Sequence, residues 1–169
     1  MCAKRKRSRL RVLKCILYLA AIGVASFVIG RLLPKSWLHE DCFPFRPFAF
    51  ERQGKLYEKL KIKSWQNKLP DMSRLCKHLM PAKKMNAETL RDLPLMIKET
   101  CVAECIHLLL PLAGLYCLHL WPGAGGVIVT LLYFLGNLPF VLIQRYNRPR
   151  LQRLCALRER TGGKREAIA

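Results

Sequence analysis

Three long apolar stretches interrupt a chain that is otherwise dense in lysine and arginine. Residues 15–33 read CILYLAAIGVASFVIGRLL, nineteen residues with a single charge, Arg31, near the end. As a helix that length spans roughly 30 Å of hydrocarbon. Residues 102–121 and 127–143 form two further apolar runs, separated by Pro122-Gly123-Ala124-Gly125-Gly126. A Pro/Gly cluster between two runs of helical length predicts a tight helical hairpin. The pattern therefore predicts an all-α membrane protein with an N-terminal apolar anchor, an amphipathic interfacial segment and a C-terminal transmembrane helical hairpin. Its divisions are 1–33 (basic N-terminus and anchor), 34–98 (cytoplasmic or interfacial segment), 99–145 (hairpin) and 146–169 (basic tail). The first run also has the outline of a signal peptide, with a basic lead and the small-x-small triplet Gly23-Val24-Ala25. Phe27-Val28-Ile29 carry it past that point, which favours an uncleaved anchor.

Charge sharpens this reading. The chain has 169 residues, a formal charge of +19 and 51% hydrophobic residues, too apolar for a disordered polycation. Residues 1–14 carry seven Lys/Arg and no acid, residues 144–169 carry eight, and residues 34–98 carry fourteen against seven acids. Basic flanks place Lys98 and Arg145, at the hairpin's two ends, on the cytoplasmic side. The N-terminus makes the same claim, so a first run that crosses the membrane conflicts with a middle segment held inside. Basic tails also suit nucleic acid, but no recognition module separates them, so no nucleic-acid partner is expected.

In the middle segment, Phe43-Pro44-Phe45-Arg46-Pro47-Phe48-Ala49-Phe50 sets four phenylalanines on a stiff backbone, suited to a membrane interface. Residues 56–70 interleave lysines with Leu, Ile and Trp, as in segments that lie on anionic headgroups. An ordinary solvated helix has the same composition.

Candidate chemistry lies in the second and third runs, where polar side chains are expensive and usually face protein or a cavity. At helical spacing Thr100, Ala103, Glu104, His107, Pro111 and Gly114 share one face. Glu104 and His107 are three apart, close enough for the carboxylate to orient the imidazole as a general base. The same two residues also suit interhelical hydrogen bonds without catalysis. On the third run Thr130, Tyr133, Asn137, Phe140 and Gln144 share a face, and Pro139 removes a backbone donor. Asn137 or Gln144 is placed to donate to a carbonyl oxygen that gains charge. Directly after it, Gln144-Arg145-Tyr146-Asn147-Arg148-Pro149-Arg150 offers guanidinium forks for phosphate, or simply marks topology. Arg145, Asn147, Arg148 and Arg150 are the expected donor-binding residues, with Trp65 and Lys68 as the other location.

There is no GxSxG elbow, Walker loop or GxGxxG, and the eight cysteines form no CxxC pair. Neither cysteines nor histidines have metal-site spacing, so no metal is expected and the thiols read as small hydrophobes.

The runs FPFRPFAFERQGKLYEKLKIKSWQNKLPD, IKETCVAECIHLL and NLPFVLIQRYNRPRLQRL, in that order, resemble the glycosyl-4,4'-diaponeurosporenoate acyltransferases, small bacterial membrane enzymes of staphyloxanthin-type carotenoid synthesis. The resemblance extends from about Phe43 to Leu154. It implies an acyltransferase of the bacterial cytoplasmic membrane that esterifies a sugar hydroxyl of a glycosylated carotenoid, or similar glycolipid, with a fatty acyl chain. No resident cofactor is implied; acyl-coenzyme A or an acyl carrier protein is the co-substrate, and membrane lipid and the lipid-linked sugar are the partners. A non-catalytic membrane adaptor, or another small membrane group-transfer enzyme such as a methyltransferase, shares the same bare features.

Overall fold

The computed structural model of the protein describes residues 2–69 and 92–166, and among them every regular element is helical. Six α-helices occur among the described residues: α1 (Cys2–Leu32), α2 (Lys55–Lys59), α3 (Ile62–Trp65), α4 (Leu93–Gly114), α5 (Cys117–Leu120) and α6 (Ala124–Glu166). Short 3₁₀ turns cover Lys35–Trp37, Ala49–Gly54 and Gln66–Lys68. Among the described residues three stretches are long and apolar enough to cross a membrane: Arg5–Leu32, Leu93–Leu120 and Ala124–Arg160. The expected all-helical membrane architecture is present.

Apolar side chains that a soluble protein would bury lie outside these helices: Val24, Leu32, Leu112 and Leu132 are each more than 60% exposed. Hydrocarbon around the helices removes the cost of such exposure. α1 runs unbroken, so its 31 residues do not fold back as a re-entrant element. Pro111 is accommodated within α4, and α6 continues through both Pro139 and Pro149. At 43 residues α6 is about 64 Å long, twice what a bilayer core requires, so the basic stretch after Arg145 extends as helix.

The chain forms two compact units, each drawn from separate parts of the sequence. The first combines Met1–Pro34 with Val102–Val141, which holds most of the apolar chain. Here small residues allow close approach: a β-carbon at Gly30 would collide with Ile106, and one at Gly114 would lie 2.7 Å from the Tyr133 ring. Tyr18 donates to the Ala113 carbonyl at 2.9 Å and packs on Tyr116, with ring centroids 5.1 Å apart. Cys15 and Cys117 are fully buried, in keeping with thiols as small hydrophobes, whereas Cys42, in the other unit, is exposed.

The second unit combines Lys35–Cys101 with Leu142–Ala169. Tyr57, Ile62 and Tyr146 form its core, with Trp65, Leu142 and Ile143 packed around them. Gly54 sits at φ +93°, and a β-carbon there would also touch Pro149, so the turn into α2 requires glycine. Lys35 pairs with Glu99 at 3.2 Å.

Candidate functional site

In the first unit, polar groups converge between α4 and α6. His107 Nδ1 lies 2.9 Å from Asn137 Oδ1, and Asn137 Nδ2 donates to the Tyr133 carbonyl at 2.8 Å. The second bond orients the amide: with its nitrogen turned to a carbonyl, its oxygen faces the imidazole. Nδ1 must then carry the proton, which leaves the Nε2 lone pair available as a base. Phe140 stacks on the imidazole at 4.6 Å and 10°, fixing the ring plane. Orientation comes from the i,i+3 and i,i+4 spacings: Tyr133, Asn137 and Phe140 share one face of α6, which the sequence pattern anticipated.

The expected arrangement differs at one place. Glu104 is fully buried, but the hydrogen bond found at His107 Nδ1 is to Asn137, one helix away, rather than to the carboxylate one turn before. Asn137 therefore orients the imidazole; its oxygen is committed to His107 and one of its two N–H donors to the Tyr133 carbonyl. Thr130, two turns before Asn137 on the same face, has a buried hydroxyl with no hydrogen-bond partner among the described residues. A hydroxyl so placed is an unused donor and acceptor inside the apolar unit.

In the second unit, Arg145 and Arg148 turn inward. Arg148 is 1% exposed; its Nε donates to Thr100 Oγ1 at 2.9 Å and its Nη1 to the Phe45 carbonyl at 2.7 Å, and the guanidinium lies over the Phe45 ring. Arg145 is ion-paired with buried Glu51, donates to the Pro44 carbonyl and lies over Phe48. Tyr57 belongs to the same cluster: burial first, then its hydrogen bond to Glu51, push the phenol well above its ordinary value, while Arg145 pulls the other way. These two guanidiniums hold the Phe/Pro loop in place. They are not the displayed phosphate forks that their density in the sequence suggested, because the loop's carbonyls and Glu51 take their donors.

The remaining candidates are dispersed within this unit. Asn147 reaches Gln66 at 3.5 Å, Trp65 Nε1 donates to the Leu60 carbonyl at 3.1 Å, Gln144 is half-buried and Lys68 is exposed. Arg150 alone of the three arginines is exposed; it donates to the Tyr146 hydroxyl and stacks over that ring. It helps line a cleft of about 560 Å³ together with Arg153 and with Lys61 and Lys63, two lysines of the stretch expected to lie on anionic headgroups. Among the described residues no group of three His, Cys, Asp or Glu is set to hold a metal.

The fold defines a small all-helical membrane protein with an oriented imidazole inside its apolar unit. The sequence profile of the glycosyl-4,4'-diaponeurosporenoate acyltransferase family matches residues 34–157. The chain belongs to that family and is an acyltransferase. It is 26% identical over 149 residues to glycosyl-4,4'-diaponeurosporenoate acyltransferases of Staphylococcus aureus strains MRSA252 and USA300, covering 88% of this chain and 90% of each relative. No solved structure matches the chain.

Proposed function

We propose that the protein esterifies a hydroxyl of a membrane-borne glycosylated carotenoid with a fatty acyl chain, using His107 Nε2 as the general base. The observation that carries the mechanism is the Tyr133 carbonyl–Asn137–His107 relay, which leaves one imidazole nitrogen protonated and the other free. The family's activity supplies the substrate class. The acceptor hydroxyl loses its proton to Nε2 as its oxygen bonds to the acyl carbonyl carbon. The bond from that carbon to the donor's leaving atom, a thioester sulfur for acyl-coenzyme A or an acyl carrier protein, then breaks, and the imidazolium returns the proton to the leaving group. Asn137 stabilises the imidazolium through Nδ1–H, as a positioning residue. Thr130, with its unused hydroxyl, is a candidate contact for the acceptor. No cofactor enters this scheme; the donor is a co-substrate.

Location follows from the same reading. With three crossings, residues 34–98 and the C-terminal stretch share one side and hold fourteen and eight basic residues, twenty-two together, against seven before residue 15. The positive-inside rule assigns that richer side to the cytoplasm of a bacterial cell membrane. The experiment is lipid analysis of cells that make a glycosylated carotenoid, with and without this protein. Appearance of the fatty-acyl ester only with the protein supports the reading; an unchanged carotenoid pool, or a transferred methyl group, would refute it.

A further inference from the structure

The cleft of the second unit is a site that the reaction scheme leaves unused. It is an open cleft of about 560 Å³, within the roughly 300–1,000 Å³ typical of small-molecule pockets. Its walls carry Lys61, Lys63, Arg150 and Arg153 against one carboxylate, Glu58, while buried Ile62 and exposed Leu154 add apolar surface. Arg150 is held by its stacking on Tyr146 and its bond to that hydroxyl, so its charge is fixed in place rather than swinging in solvent.

The backbone at Lys61 adds an independent sign. Lys61 sits at φ +49°, ψ 37°, a left-handed conformation that a β-carbon resists and that glycine or asparagine adopts more easily. The turn is nonetheless locked. Lys61 N–H donates to the Glu58 carbonyl at 3.0 Å, and the Lys61 carbonyl receives both the Ser64 N–H at 2.9 Å and the Ser64 hydroxyl at 2.7 Å. A lysine held in glycine's conformation at the mouth of a cationic cleft points to work for its side chain.

We infer that this cleft holds the phosphate-bearing end of the acyl donor, with Lys61, Lys63 and Arg150 as its phosphate contacts. The inference deepens the acyltransferase reading and rests on it. Ammonium groups and an exposed guanidinium edge suit phosphate esters, and the apolar surface suits the organic part beside them. Two kinds of acyl carrier present that chemistry: a soluble nucleotide thioester such as acyl-coenzyme A, or a membrane phospholipid.

The test uses the purified full chain in phosphatidylcholine nanodiscs. One arm measures binding of added coenzyme A; the other replaces part of the lipid with phosphatidylglycerol and counts retained lipid by native mass spectrometry. Lys61→Asn keeps the turn and removes the charge, and is combined with Lys63→Gln. The control pair, Lys55→Gln with Lys59→Gln, removes the same charge from α2, outside the cleft. The lysine pair is expected to weaken whichever probe binds by at least about tenfold, with the control pair changing it less than about twofold and Lys61→Arg restoring it. Coenzyme A binding assigns the soluble thioester, and retained phosphatidylglycerol alone assigns the phospholipid. No binding in either arm, or equal loss in the control pair, overturns the inference. His107→Gln separates the two readings, because it should abolish transfer and leave probe affinity unchanged. Normal transfer with Lys61 and Lys63 both replaced would remove the cleft from the account and leave the acyltransferase standing.

Discussion

Arg148 distinguishes a guanidinium that builds the protein from one that binds substrate. The replacement is Arg148→Lys, which keeps the charge and removes the fork. In the native protein Nε serves Thr100 and Nη1 serves the Phe45 carbonyl, at 2.9 and 2.7 Å, from a side chain with 1% exposure. A single ammonium on a shorter geometry satisfies one of these acceptors and leaves the other buried without a donor. A hydrogen bond to a charged group is worth about 1.5–3 kcal/mol, and a stranded buried acceptor costs about 1–3 kcal/mol. These figures overlap in part, so the expected loss is about 2–4 kcal/mol. For a chain of this size that is a fall in melting temperature of about 4–16 °C. Thermal unfolding of the detergent-solubilised protein, followed by fluorescence, reads it directly. Arg150→Lys, at an exposed position, should move the midpoint by no more than about 2 °C. A native midpoint for Arg148→Lys, together with a raised KM for the acyl donor, would refute the structural role and restore Arg148 as a phosphate ligand.

Asn137→Leu removes the acceptor for Nδ1–H and should lower kcat roughly tenfold to a hundredfold with little change in KM, whereas Asn137→Asp, which still accepts, should recover part of it; equal loss in both would argue for a packing role. Tyr57 gives a pH dependence: its phenol is raised in the folded state above the ordinary value of 10.0, so the folded protein holds that proton more tightly than the unfolded chain. The stability this contributes is complete below about pH 10 and is lost progressively as pH rises above it. Tyr57→Phe should flatten the alkaline fall in melting temperature, and an unchanged fall would assign it to another group. For topology, Lys98→Cys and Ala124→Cys, each made with exposed Cys42 changed to Ser, should label with a membrane-impermeant maleimide from opposite faces of the membrane. Labelling of both from outside intact cells would refute the hairpin.

The membrane helices were legible because hydrocarbon imposes a length and a composition on anything that crosses it, and residues 15–33, 102–121 and 127–143 meet both. The face carrying Tyr133, Asn137 and Phe140 was legible for a similar reason, since helical periodicity fixes it before any contact forms. Which partner His107 finds was not. Glu104 on its own helix and Asn137 on the next are both within a side chain's reach by spacing, and only the packing of α4 against α6 selects the amide. The arginines failed as a guide for a different reason. Their number suggests a phosphate site, but the pairing of Arg145 with Glu51 spans ninety-four positions, and no local pattern encodes it. Glu51 is one of seven acids in the middle segment, and nothing in the sequence singles it out as the partner. Lys61 was hidden in a run of alternating lysines, since its left-handed backbone leaves no mark in composition.

In the proposed mechanism His107 is the base of an acyl transfer. Purified wild-type protein in nanodiscs, given a glycosylated carotenoid acceptor and a radiolabelled acyl donor, should form labelled ester. His107→Gln, with the same insertion and melting temperature, should form it at least about a hundredfold more slowly. Ester formation at the wild-type rate by His107→Gln would contradict the account.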